Sequence, residues 1–177
     1  MKKTIIIISL ILTFLIIFLL QTNLFLWFNL ASVKPNLFVI LALIIGLFGG
    51  KSLGFILGTI FGVAMDFLIG KNIGIYGIAL GIIGILGGYL DEKFSKDSRI
   101  TMVLIITLAT IGFELISYML NFIINTSNIE IMYFLQKLLI EVIYNIILTI
   151  ILYPAIIKFG YKIEENFKER KILTRYF

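Results

Sequence analysis

Long apolar blocks alternate with short polar breaks along this chain, and the blocks predict six helices. They fall at about 4–21, 36–50, 53–70, 73–90, 100–124 and 134–157. A helix needs ~20 apolar residues to cross ~30 Å of hydrocarbon. The first, fifth and sixth blocks are long enough. The middle three are short, which predicts local bilayer thinning or shielding by neighbouring helices. The breaks Gly50-Lys51-Ser52 and Gly70-Lys71-Asn72 are tight, so adjacent helices are expected to form antiparallel hairpins.

Within the blocks, small and polar residues are not scattered. Thirteen of the fifteen glycines lie between Gly46 and Gly88. One stripe is spaced by fours: Gly54, Gly58, Gly62, Asp66 and Gly70. Another alternates threes and fours: Gly74, Gly77, Gly81, Gly84 and Gly88. Positions four apart stack on one helix face, and glycine ridges let helix backbones approach closely. The two ridges either pack on each other or leave one face for a partner. Asp66 lies near one end of its helix, at a depth similar to Lys34 and Lys71. An ionisable residue in lipid needs a partner, so a Lys34–Asp66 clamp is expected, the alternative being an interfacial carboxylate in water.

The fifth block carries Glu114, Ser117, Tyr118 and Asn121 on one face, and the sixth carries Lys137, Glu141, Tyr144 and Asn145. Antiparallel packing puts Glu114 and Asn145 near mid-membrane. The simplest arrangement is a Glu114–Asn145 hydrogen bond; the alternative is an ion or solute path. After the sixth block, residues 158–177 read as a basic amphipathic cytoplasmic tail. Its stripe of Ile156, Phe159, Ile163 and Phe167 suits an interfacial helix on an anionic leaflet or a docking site.

Composition narrows the class. Of 177 residues, 60% are hydrophobic, and mean hydropathy is +1.11, beyond the usual range of a soluble domain. With no Cys and no His, disulfides, thiol chemistry, imidazole catalysis and the common zinc sites are excluded. The net charge of +5 does not read as nucleic-acid binding, because the charges sit between apolar blocks and at the tail. Placing the N-terminus inside puts twelve Lys and Arg on the cytoplasmic side against three, Lys34, Lys71 and Lys137, outside, a strong orienting bias. Both termini are then cytoplasmic. Residues 22–35, with Trp27, are expected along the outer interface. The start resembles a signal peptide but lacks a small-x-small cleavage site, so a retained first span is expected. No phosphate loop, activated nucleophile or water-exposed carboxylate pair is present. No catalytic residue, cofactor or metal is expected.

The segment Lys34-Pro35-Asn36-Leu37 and the run GKSLGFILGTIFGVAMDFLIGKNIGIYGIALGIIGILGGYL resemble the K-P-[DN]-L start and central G-x3-G-x3-G-x3-D block of the rod shape-determining protein MreD family. Residues 34–90 carry the specific part; the last two helices match in pattern. Asn36 stands where Asp is frequent. The resemblance implies an all-α integral protein of the bacterial cytoplasmic membrane. It implies a compact six-helix bundle similar to the substrate-binding subunit of energy-coupling-factor transporters. It also implies a non-enzymatic scaffold for cell-wall elongation. The implied partners are MreC, MreB filaments directly or indirectly, the elongation transpeptidase and glycosyltransferase, and membrane lipids. Lys34, Pro35, Asn36, the glycine stripe and Asp66 are the family-like residues.

Two other functions fit parts of the sequence. A vitamin-binding transporter subunit would share the overall shape, but it should carry an Ala-x3-Ala face on its first helix, and IIIISLILTFLIIFLL has no Ala. An ion channel or proton-coupled carrier would rest on Glu114 and Glu141 alone.

Overall fold

The computed structural model describes residues 2–23, 33–69, 74–91, 93–125 and 130–168. They form six helices: α1 (Lys2–Asn23), α2 (Leu37–Gly49), α3 (Lys51–Ile69), α4 (Ile75–Leu90), α5 (Arg99–Asn125) and α6 (Ile131–Phe167). Trp27, Gly70 and Lys71, with the expectations placed on them, lie outside the described residues.

Helix α2 is the central rod. Every residue from Leu37 to Phe48 is buried, as expected of a helix that is apolar all round. Its 13 residues span about 20 Å, less than the hydrocarbon thickness. Its sheath of α3, α4, α5 and α6 removes the need to meet lipid along its length. Four helices, α1, α3, α5 and α6, are long and apolar enough to cross a membrane; α2 and α4 are not. The expectation of six spans is therefore corrected to four long helices and two short ones packed among them.

Asn36 caps α2, its side chain accepting from the Val39 backbone N–H at 3.4 Å. Gly50, at φ 91°, then reverses the chain in one residue, a conformation glycine adopts without steric cost. The α3/α4 hairpin packs backbone against backbone. A methyl group added at Gly54 would strike the backbone of Gly84 and of Gly46; at Gly58, that of Leu80; at Gly62, that of Tyr76. Gly84 meets Gly54 in return, and Gly88 meets Lys51. Among the described residues, Gly54, Gly58, Gly62, Gly84 and Gly88 are spent inside the fold and leave no open docking face there. Gly77 and Gly81 face side chains, Val63 and Thr59 respectively. Gly74 departs from the expected seam. It caps α4 at φ 106°, and a methyl group there would meet nothing within 4 Å.

Helix α6 runs to Phe167, ten residues past its expected end. Read along the chain, residues 158–177 suggest a separate basic amphipathic tail lying on the inner leaflet. In the fold, Ile156, Gly160 and Ile163 form a buried stripe, with Phe48 of α2 seated against Gly160. The apolar stripe expected at the membrane interface is thus largely taken up by protein packing. Helix α1 sits apart. Leu10 and Phe14 are its buried residues, and Phe14 stacks on Phe61 with ring centres 4.7 Å apart.

Candidate functional site

One end of the bundle gathers most of the polar residues singled out in the sequence. The antiparallel α3/α4 register continues past the glycines and places Asp66 at the start of α4. Its carboxylate accepts backbone N–H bonds from Gly74 (2.9 Å), Tyr76 (3.1 Å) and Gly77 (3.1 Å). These are among the N–H groups a helix start leaves without intrahelical partners, and the helix dipole favours a negative charge there. The Lys34–Asp66 clamp is therefore absent. Asp66 is 2% exposed because it belongs to the hairpin, and backbone donors take the place expected of a lysine.

Between α5 and α6 the register also differs from expectation. Glu114 Oε2 accepts from Lys137 Nζ at 2.6 Å. Asn145 lies two turns further along α6 and meets Thr110, one turn earlier on α5, its Nδ2 donating to Thr110 Oγ1 at 3.0 Å. Asn145 Oδ1 accepts from the Asn36 backbone N–H, also at 3.0 Å. The expected Glu114–Asn145 bond is replaced by these two pairings, because a cation within the first two turns of α6 is the better partner for a buried carboxylate. Asn121 turns back on its own helix and donates to the Ser117 carbonyl at 2.8 Å.

The Lys34-Pro35-Asn36 segment is tied in from two sides. Gln21 of α1 donates to the Pro35 carbonyl at 2.7 Å, and Asn145 of α6 holds Asn36. Asn36, Glu114 and Glu141 line one cavity together. An Asp here would add a third carboxyl beside Glu114 and Glu141, which Asn avoids. Two cavities open here, of about 500 Å³ and 550 Å³. They share Tyr76, Glu114 and Lys137 as walls. Lys34, Asn36 and Glu141 line the first; Ser117, Tyr118 and Asn121 line the second.

A second polar cluster, absent from the sequence-based expectations, binds the opposite end. Lys96 pairs with Asp91 and with Glu164, the latter at 2.8 Å. Lys168 pairs with Asp91 and donates to the Leu47 carbonyl at 3.2 Å. Tyr161 donates to Asp97 at 2.5 Å. Burial alone would raise the Asp91 carboxyl, but Lys168 and Lys96 hold it below its ordinary value. Burial alone would lower Lys96, but Asp91 and Glu164 raise it. The cluster joins the loop after α4 to the last turns of α6, which explains the helical extension. The available signal was the alternation of charges in Asp91, Lys96 and Asp97 against Glu164 and Lys168. Thr110 also escapes a sequence reading, and Gly46, though counted in the glycine-rich centre, falls on neither stripe.

These features define an integral membrane protein class: a helical bundle around a short buried rod and a glycine-packed hairpin, with polar residues at both ends. A family model for the rod shape-determining protein MreD matches residues 1–163, and the chain belongs to that family. The family is one of structural, shape-determining membrane proteins. No curated protein and no solved structure matches, so the expected likeness to energy-coupling-factor subunits gains no support from them.

Proposed function

We propose that this protein is a non-catalytic scaffold of the cell-elongation machinery, holding MreC and the wall-synthesis transpeptidase and glycosyltransferase at the bacterial cytoplasmic membrane. The family match over residues 1–163 carries this reading. The fold adds support by spending its close-packing glycines internally, which leaves partner binding to the outer helices. Helix α1 is the best candidate face, since Ile5, Ile8, Leu12, Ile16 and Leu19 are all exposed. A single-span partner needs such a helix-long apolar surface. Both termini are cytoplasmic in this reading, the basic end with Lys51, Lys96 and Lys168 faces the cytoplasm, and the two cavities open outward. Depletion should turn rod-shaped cells round, and the protein should co-purify with a single-span periplasmic partner. Normal cell shape after clean deletion would overturn the proposal.

A further inference from the structure

The first cavity contains two groups that the fold leaves unanswered. Glu141 is 2% exposed, and its Oε1 has no hydrogen-bond partner. A buried acceptor in that state is costly unless a donor arrives. Lys137 pairs with Glu114 at 2.6 Å and forms no ion pair with Glu141 among the described residues. Lys34 lines the same cavity and has no ion pair among the described residues. The cavity therefore presents an acceptor needing a donor and a cation needing an anion.

An apolar groove of about 350 Å³ runs beside it between α1, α2 and α6. Consecutive residues line the two spaces. Ile17 and Leu20 face the groove where Phe18 and Gln21 face the cavity, and Leu37 faces the groove where Asn36 faces the cavity. A polar chamber adjoining an apolar channel matches a lipid, with its head in one and an acyl chain in the other.

We infer that this end of the bundle binds a phospholipid with a primary-amine head group, the ammonium donating to Glu141 and the phosphate lying toward Lys34, with an acyl chain along the α1/α2/α6 groove. A quaternary ammonium has no N–H to donate, and a hydroxyl-bearing head group gives Glu141 only a neutral, weaker hydrogen bond. The inference does not depend on which proteins the scaffold holds.

The test is native mass spectrometry of the full chain, with phosphatidylethanolamine, phosphatidylcholine and phosphatidylglycerol of identical acyl chains in competition. Phosphatidylethanolamine should be retained about tenfold over either rival, the size of one charge-assisted hydrogen bond. Glu141→Gln should reduce that preference. Lys34→Met, at a partly exposed position, should weaken retention of all three by removing the phosphate contact. Leu20→Trp should lower retention of every phospholipid by filling the groove. Equal retention of the three lipids by the unmodified chain would overturn the inference. So would a preference untouched by Glu141→Gln, or overall retention untouched by Lys34→Met. Glycerophosphoethanolamine binding as tightly as the intact lipid would overturn the acyl seat.

Discussion

At the scale of single residues, the decisive groups are buried charges and what satisfies them. Asp66 accepts three backbone N–H bonds at the start of α4. Asp66→Asn would turn an amide N–H₂ toward one of those donors, costing about 2 kcal/mol. Asp66→Ala, leaving all three donors unsatisfied, should cost more. Thermal unfolding in detergent would read both, and an unchanged midpoint for Asp66→Ala would refute the capping role. The Glu114–Lys137 pair predicts an asymmetry. Glu114 is 3% exposed and Lys137 is 37% exposed. Lys137→Met strands a buried carboxylate, a loss on the order of 3 kcal/mol. Glu114→Gln leaves a lysine that can turn toward water and should cost clearly less. The double variant should recover most of the Lys137→Met loss, and additive losses in denaturant titrations would exclude direct coupling. The sequence displays every one of these residues but not their partners. Asp66 reads as a charge seeking a lysine, because the backbone donors of a helix that begins nine residues later cannot be seen in side-chain patterning.

At the scale of elements, the glycine hairpin was the most legible feature, since spacings of three and four fix a helix face whatever the context. The pattern left open which glycines face backbone and which face side chains. That difference is measurable. A methyl at Gly84 meets the Gly54 backbone, which cannot rotate away, whereas one at Gly81 meets first the hydroxyl of Thr59, which can. Gly84→Ala should therefore destabilise by about 1–3 kcal/mol and reduce accumulation in the membrane, with Gly81→Ala clearly milder. Equal effects would mean that the two ridges are not in the observed register. The end of α6 was the least legible element. Local charge after residue 157 argued for a tail, while Phe48 and the Asp91–Lys96–Glu164–Lys168 cluster, distant in sequence, extend the helix. This cluster makes stability depend on pH. The Asp91 carboxyl is held below its ordinary 3.8, so its contribution is full above that value and disappears as acid protonates the folded form. Lys96 is raised above its ordinary 10.5, so its contribution is full below that value and fades in stronger base. Unfolding midpoints followed from neutral pH into acid should fall more steeply below about pH 4 in the unmodified chain than in Asp91→Asn. Parallel curves would exclude Asp91 as a contributor.

At the scale of the whole molecule, the fold divides into a packed body and a loosely attached arm. Helices α2, α3 and α4 cross at Gly46, Gly54 and Gly84 with backbones in contact, which makes a rigid centre with no room for a partner. Helix α1 touches this body through Leu10, Phe14 and a partly buried stripe, and its other face is apolar and uncovered. Lipid can cover that face, but so can another transmembrane helix, and the two alternatives differ in what a photocrosslinker captures. A photoreactive residue at Ile8, Leu12 or Leu15, on the uncovered face of α1, should yield a crosslink to a single-span protein in native membranes. The same probe at Leu10, which is buried, should yield crosslinks within the chain. Exposed positions on α5, such as Leu104 and Leu108, serve as controls for general helix crowding. If they capture the partner and α1 does not, the docking face moves to α5 while the scaffold reading survives. If every exposed position captures only lipid in cells that are elongating, the molecule has no helix-docking face, and a scaffold acting through its transmembrane surface is excluded.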